Sequence, residues 1–490
     1  LFSEPLVWVT RGISFGGINQ ILWLSPMMLL YGALGKFLSM DSQTITKILF
    51  YIPSIVLSIL GPFILTRYLK FSKTVSFFAS LFYSLNTYFI LLIDGGQPGI
   101  ALAYGIFPIS LYFIRRMIDE NNTVNFFFAF VFSMILCIVD PRIYAILVLF
   151  LILWAIFEKK SLKYLLVLQI PVLLSNLYWL YPMLKLGATS TGSEVVSLQT
   201  TSLLNSLFLY APHWPDNVFG KIVPPPFYFF LVPVLLFGSF WSSEKNKDIK
   251  IIGILFLIFA FLSKGTTSPL GEIYNFLVVK IPFGVAFRDS SKFFIPLVLL
   301  GGILIGATAD KLKKYKFTNV FIFIYILLLI WPAFLEKLNF NLSDRKTSGD
   351  LNKIYSNLKD DNGTFKTLWF PEKQSASYES NDKPAIDARD LVKMNSIAQV
   401  NASNDPFNFL NDVNFPNKLA RLGIKYLFLS GDPRNIKPNE SEIKDWGTIS
   451  KLISENPKLK KVDWGTTFPV YEVSDVLPRF YKIDNLIGVI

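Results

Sequence analysis

Between residues 47 and 336 the chain is a succession of apolar blocks, each of about 17–22 residues, the length that crosses the hydrocarbon core of a bilayer. Such a block has few structural options. Backbone N–H and C=O groups in lipid must be satisfied within the segment, so a single-block crossing is a helix. The blocks place spans at about 47–67, 74–94, 97–115, 123–139, 141–157, 162–183, 226–242, 250–264, 291–309 and 318–336. Pro53, Pro62, Pro108, Pro171 and Pro296 lie inside them, which neighbouring helices tolerate in a membrane. The composition agrees: 52% of residues are hydrophobic and 17% charged, against about 25% charged in a soluble domain. The single cysteine, Cys137, lies within a block, so no disulfide framework exists.

The loops set the orientation. Arg67, Lys70 and Lys73 form one group; Arg115 and Arg116 a second; Lys159, Lys160 and Lys163 a third; Lys245, Lys247 and Lys250 a fourth; Lys311, Lys313, Lys314 and Lys316 a fifth. These loops alternate with loops almost free of cations, and an excess of Lys and Arg marks the cytoplasmic side. The loops 184–225 and 264–290 and everything after residue 336 are then expected outside. The net charge of +12 is spent on this pattern, which argues against a nucleic-acid partner. The apolar segment Gly17–Leu38 would invert the map if it crossed, so residues 1–46 are expected to be an outer-face loop with an interfacial or re-entrant helix. An outside start implies a further span upstream of Leu1.

Composition shifts at Glu336 toward Asn, Asp, Lys and Ser. Phe365–Phe370 and Ile424–Leu429 read as strands, Phe468–Val473 as another, and Asn417–Leu422 as a short helix. The expected fold class is therefore mainly α: a polytopic transmembrane helical bundle at 47–336, followed by an extracytoplasmic α/β domain at 337–490. Sequons at Asn341, Asn362, Asn401 and Asn439 fit an outside location. The chain contains no nucleophile elbow, phosphate-binding loop or Cys/His cluster, and its one histidine all but excludes a histidine-rich metal site or a Ser-His-Asp triad.

Candidate chemistry gathers in charged residues at the outer ends of the spans, where ionisable groups are costly. Asp94, in Ile93-Asp94-Gly95-Gly96-Gln97, is either a general base or metal ligand, or a turn carboxylate capping a helix. Asp140-Pro141-Arg142 is either a self-neutralising turn or one in which Arg142 holds a phosphate. Arg288 and Lys292, four apart, are expected to share a helix face at a helix start and so to clamp a phosphate, unless Asp289 merely caps the span and Lys292 snorkels. Lys264 opens the same loop. His213, beside Trp214 and Asp216, suits sugar contact or a structural role. A divalent cation, Mg or Mn, is a candidate companion of the carboxylates.

Lys264-Gly265, Ser268-Pro269-Leu270-Gly271, Ile273-Tyr274, Pro282 and Phe287-Arg288-Asp289-Ser290-Ser291-Lys292-Phe293 together resemble a segment of GT-C-type membrane glycosyltransferases. They are similar to the large mycobacterial arabinofuranosyltransferases and their archaeal relatives. Leu422-Gly423-Ile424-Lys425-Tyr426-Leu427, Pro469-Val470-Tyr471-Glu472 and Leu477-Pro478-Arg479 resemble YfhO-type membrane proteins of the same superfamily. Gln97-Pro98-Gly99 through Tyr104-Gly105-Ile106-Phe107-Pro108 fits the same pattern. The resemblance implies a GT-C-like bundle, a polyprenyl (dolichyl) phosphate-linked sugar donor, a glycan or glycoprotein acceptor, and inverting transfer on the outer face. It also implies an acidic catalytic residue in the first outer loop. Here only Glu4 stands before Arg11, outside any recognisable motif, which leaves Asp94 and Asp140 as the leading candidates for the base, with Glu4 a weak one and a residue upstream of Leu1 another. The competing class is a non-enzymatic lipid or sugar transporter, or a membrane anchor of a surface assembly. A transporter is expected to show repeated halves with midplane charges. This sequence shows no repeat, and its charges lie at the outer face.

Overall fold

The computed structural model describes residues 6–9, 15–19, 21–158, 161–186, 202–212, 219, 225–240, 247–280, 284–335, 338, 349–373, 377–380, 382–393, 405, 407–430 and 446–478. The chain divides into two compact units. One comprises Leu1–Pro5 with Gln20–Asp344, and the other Leu6–Asn19 with Arg345–Ile490.

The first unit is helical. Four helices are long and apolar enough to cross a membrane: Ser42–Tyr68, Lys73–Asp94, Pro98–Glu120 and Ser290–Leu312. Leu162–Ser175 and Leu177–Lys185 make a fifth apolar unit bent by 75°. Thr123–Val139, Pro141–Phe157, Phe227–Gly238 and Thr318–Leu329 are shorter apolar helices, and Lys247–Ser263 is a further helix. Every expected span thus carries helix among the described residues, but not every one is the uninterrupted rod that hydropathy implies, and two are broken at a buried asparagine. At the bend, Asn176 turns its side chain on its own backbone. Its Nδ2 donates to the Val172 carbonyl at 2.8 Å and its Oδ1 accepts from Trp179 Nε1 at 2.7 Å, bonds that compete with the helix ladder. Within Lys73–Asp94, buried Asn86 interrupts the helix. Its Oδ1 caps Phe89 N at 3.0 Å, while its Nδ2 serves the carbonyls of Phe82 and Tyr83. A break deep in the bundle survives because one amide side chain satisfies both helix ends. Ser25–Phe37 has 13 residues. At 1.5 Å each this gives about 20 Å, short of the ~30 Å of a bilayer core.

Ser290–Leu312 is the central helix, with 94% of its most apolar window buried, against 33% for Ser42–Tyr68. Its neighbours are Lys73–Ser84, Lys247–Ser263 and Leu231–Gly238, while Pro98–Glu120 packs on Ile52–Tyr68 and Thr123–Val139. Gly302 and Gly306, one turn apart, explain the closest of these contacts. A Cβ on Gly306 would lie 2.6 Å from the Val75 carbonyl oxygen, and one on Gly302 2.9 Å from that of Ala79. In lipid, where hydrophobicity does not drive helix association, such small-residue faces let two backbones touch.

In the second unit, strands β1 (Trp8–Val9) and β2 (Gly17–Ile18) pair as an antiparallel hairpin. Strands β3 (Lys366–Phe370), β4 (Ala385–Asp387), β5 (Ile424–Leu429), β6 (Leu459–Val462) and β7 (Val470–Val473) form one sheet in the order β4-β3-β5-β7-β6. The β4-β3-β5 pairs are parallel and β5-β7-β6 antiparallel. Side chains alternate between two cores, as strand geometry requires. Leu368, Phe370, Leu427 and Leu429 meet Phe415, Leu419, Ile449 and Ile453 on one face. Trp369 and Phe428 stack at 4.4 Å on the other, over Ile354 and Leu358 of the Gly349–Asp360 helix.

Candidate functional site

The outer-loop charges predicted from the sequence fall largely at one end of the helical unit. Asp140 ends Thr123–Val139 and begins Pro141–Phe157, where Pro141 occupies the first helical position at no cost to the ladder. The Asp140 carboxylate accepts from Arg142 N at 2.9 Å, from Arg142 Nε at 2.9 Å and from Arg142 Nη2 at 2.6 Å. Its side chain is 3% exposed and that of Arg142 32%. A buried carboxylate is thus held by a two-pronged ion pair whose outer half reaches solvent.

The second pair lies where Ser290–Phe293 winds one 3₁₀ turn into the central helix. Asp289 caps that turn, accepting from Ser291 N at 3.0 Å and Ser291 Oγ at 2.7 Å, and its other oxygen accepts from Lys292 Nζ at 2.7 Å. Lys292 is buried. Arg288 instead sits before the cap, exposed, and its guanidinium makes no ion pair or side-chain hydrogen bond among the described residues. The expectation that Arg288 and Lys292 share a helix face is corrected here: the helix starts after Asp289, so one cation precedes it and only the other lies in its first turn. Asp289 also draws Lys292 inward.

Tyr88 lies within electrostatic range of both pairs. It feels the charges of Asp289, Asp140 and Arg142, and Arg142 in turn feels Asp289. The Tyr88 ring meets the Phe294 ring at 5.4 Å. Asp94 lies about one and two-thirds turns beyond Tyr88, 1% exposed, at the end of Thr87–Asp94. The turn after it uses Gly96 at φ +68°, a conformation natural to glycine. Pro98–Glu120 then begins beside the end of Thr123–Val139, a Cβ on Gly99 lying 3.8 Å from the Val139 carbonyl oxygen. Asp94 and Asp140 therefore occupy the same end of the bundle. The residue that caps Pro98–Glu120 is Gln97, not Asp94.

A chain of buried hydroxyls fixes this end. Ser290 Oγ donates to the Ser263 carbonyl at 2.8 Å, and Ser263 Oγ donates to Ser206 Oγ at 2.8 Å. Tyr274 OH donates to the Phe287 carbonyl at 2.6 Å and so holds the residue before Arg288. Burial, and then the charge of Asp289, push the Tyr274 hydroxyl well above its usual pKa, so it stays a donor. Tyr88, Tyr274 and Ser263 carry no sequence signal of a site role. Tyr274 lies inside the motif behind the family resemblance, but nothing local marks what it does.

Lys264 is buried in its own turn, with Nζ donating to the Thr267 carbonyl at 2.6 Å and lying 4.6 Å from the Phe261 ring. Glu4 and His213 lie outside the described residues. Among the described residues no three His, Cys, Asp or Glu side chains cluster as metal ligands, and two of the three acids at this end already hold cations.

No family model matches the chain, and no curated protein sequence does either. A solved structure does resemble it: the cryo-EM structure of arabinofuranosyltransferase AftD from Mycobacteria, with a TM-score of 0.60 and 14% identity over 96% of this chain. The match takes in 37% of that longer chain. At this identity the likeness speaks for the architecture alone, a bundle of apolar helices with a small sheet-containing region.

Proposed function

We propose that this protein is a membrane glycosyltransferase that moves a sugar from a polyprenyl-phosphate carrier to a glycan or glycoprotein acceptor on the outer membrane face. The observation that carries the reading is the convergence of Asp140–Arg142, Asp289–Lys292 and Asp94 at one end of the bundle, with exposed Arg288 beside them. The architectural likeness to an arabinofuranosyltransferase supports it.

In this reading an acceptor hydroxyl attacks the anomeric carbon. The bond from that carbon to the phosphate oxygen breaks, and the polyprenyl phosphate leaves with the electron pair. The attacking hydroxyl loses its proton to a carboxylate, which we assign to Asp94 by its place in the turn beside Asp140; both Asp140 oxygens already accept from Arg142. Arg288 meets the phosphate directly, and the outer edge of Arg142 adds positive charge. No step is routed through a metal ion. Inversion at the anomeric carbon and an extracytoplasmic C-terminal domain belong to the same proposal.

The test is reconstitution of the protein in nanodiscs with decaprenyl-phosphate-linked arabinofuranose and undecaprenyl-phosphate-linked mannose as probes, following release of the lipid phosphate. Release with either donor that is lost in Asp94→Asn supports the reading. Intact donors with both probes across a panel of oligosaccharide acceptors would overturn it.

A further inference from the structure

Between Lys247–Ser263 and the central helix runs a short helix, Gly271–Lys280, whose outer sides the transferase reading does not use. Its 10 residues reach about 15 Å, half of the ~30 Å of a bilayer core, so it does not cross.

One side of this helix belongs to the bundle. Gly271, Tyr274 and Val278 are buried, at the spacing of a single helix face. The Tyr274 ring meets the Phe293 ring edge-on at 6.3 Å, while its hydroxyl holds the Phe287 carbonyl. The turn Gly284–Phe287 closes over the C-terminal end, where a Cβ on Gly284 would lie 2.5 Å from the Leu277 and Val278 carbonyl oxygens. The helix is thereby pinned to the opening turn of Ser290–Leu312.

Each residue advances about 100° around the axis, so the remaining side chains fall on two further sides. Glu272 and Asn275 make one, exposed and polar, with Val279 beside them. Ile273, Phe276 and half-buried Leu277 make the other, and Phe276 is 60% exposed. Lys280, the last residue, also falls on that side, with a stem long enough to carry its ammonium to a headgroup. Leu270, just before the helix, is 65% exposed and sits at φ +59°, a left-handed conformation that a branched side chain adopts only at a cost. A protein side, a polar side and an apolar side together make the division expected of a helix lying along a membrane surface.

We propose that Gly271–Lys280 lies in the lipid interface at this end of the bundle, with Leu270, Ile273 and Phe276 among the acyl chains and Glu272 and Asn275 toward water. Position identifies lipid as the occupant. The buried side is fixed to the first turn of a helix long and apolar enough to cross the membrane, at the level where that helix leaves the bilayer. There the exposed apolar side continues the lipid-facing surface of the bundle, and hydrocarbon removes from water what would otherwise stay hydrated. Tyr274 ties this seat to the carbonyl just before Arg288, so the helix also fixes Arg288 at the depth of lipid headgroups. The placement does not depend on the transferase reading.

Spin labels test it. In a Cys137→Ser background, the full-length protein in phosphatidylcholine vesicles carries a nitroxide at Ile273→Cys, Phe276→Cys or Asn275→Cys. Relaxation by oxygen, which concentrates in hydrocarbon, is compared with relaxation by a water-soluble nickel chelate. The oxygen-to-nickel ratio should be several-fold higher for the first two labels than for the third. A phosphatidylcholine with a diazirine on its acyl chain should also leave adducts on the wild-type peptide that contains Ile273 and Phe276, a result that needs no substitution. Nickel reaching the Phe276 position as readily as the Asn275 position would put the helix in water. Labels screened from both reagents would mean that protein covers it. Either outcome, or a wild-type peptide without adducts, would overturn the proposal.

Discussion

Arg142 folds back on Asp140, two residues before it, and meets both carboxylate oxygens at 2.9 and 2.6 Å. The pair therefore neutralises itself through one turn of backbone, and the turn is fixed by Pro141 between them. Asp140 has a structural duty whether or not it takes part in chemistry, because a carboxylate 3% exposed needs a partner. The same holds for Asp289 and Lys292. The candidate site is thus built from neutral pairs, with Arg288 as the exposed cation beside them.

Arg142→Ala should therefore destabilise the protein by about 3 kcal/mol, the lower end of the range for breaking a buried pair, since Arg142 is a third exposed. Removing both charges, in Asp140→Asn with Arg142→Met, should restore much of that loss. Thermal unfolding in nanodiscs of the single and double variants checks this. An additive loss in the double variant would show that the pair does not act as a unit.

The contact of Gly306 with the Val75 backbone sets a second expectation. Any side chain there forces the central helix away from Lys73–Ser84, because the neighbour is main chain and cannot rotate aside. Gly306→Leu should cost about 1–3 kcal/mol or more, as overpacking does. Gly349→Ala, at a position where an added methyl meets nothing within 4 Å, should stay within about 0.5 kcal/mol. Comparable melting shifts in the two variants would refute the packing argument.

How far the sequence is legible depends on what kind of signal each element leaves. Ile424–Leu429 can be read to the residue because a β-prone run after Gly423, apolar but for Lys425, has few other homes. The breaks at Asn86 and Asn176 escape such a reading, since a lone amide barely lowers the hydropathy of an apolar block. Its effect comes from side-chain bonds that only the folded helix can show. The Gly349–Asp360 helix is hard to see because its buried stripe is little more than Ile354 and Leu358 among charged residues. Strand β6, Leu-Lys-Lys-Val, is a lysine-bearing edge strand, and such edges read as loop. At the site, charge at helix ends points to Asp94, Asp140, Arg288 and Lys292. Which cation turns toward which acid is set by the 3₁₀ turn at Ser290–Phe293, a detail of backbone geometry with no sequence signature.

The C-terminal unit carries a pH-sensitive link between Lys425 and Asp361. Burial alone would raise the Asp361 pKa, but hydrogen bonds from Lys425, the Gly363 amide and Tyr426 hold it below the usual 3.8. A folded-state pKa below the unfolded one stabilises the fold above the unfolded value, and that stability is lost as pH falls through the folded one. Hydrogen-exchange mass spectrometry of β5 peptides, corrected for intrinsic exchange, should show protection falling below about pH 4. Asp361→Asn should lower protection at neutral pH and flatten the acid limb. An acid limb unchanged in the variant would assign it to other groups.

Topology has a direct check. In a Cys137→Ser background, single cysteines replacing Lys247 and Ser441 should react with an impermeant maleimide from opposite sides of sealed vesicles. Labelling of both from the same side would remove the extracytoplasmic placement of the C-terminal domain, and with it the outer-face chemistry.

Arg288 and Lys292 provide the sharpest test, because the structure separates two residues that the sequence treats alike. Lys292 is buried and spends its charge on Asp289, so Lys292→Met should act first on stability, by about 1.5–3 kcal/mol for a lost charged hydrogen bond. Arg288 is exposed, so Arg288→Ala should leave the melting temperature within the range of an ordinary surface substitution. If its role is to meet the donor phosphate, the loss should appear in binding. The same 1.5–3 kcal/mol then corresponds to roughly a 10- to 150-fold rise in KM for the lipid-linked sugar. Arg288→Lys keeps the charge but not the forked geometry and should fall between. Melting curves and donor titrations on the same preparations resolve the two effects. A donor KM unmoved in Arg288→Ala would remove the phosphate from this end of the bundle. Equal KM effects with no loss of stability in Lys292→Met would mean that Asp289 releases its lysine to the substrate.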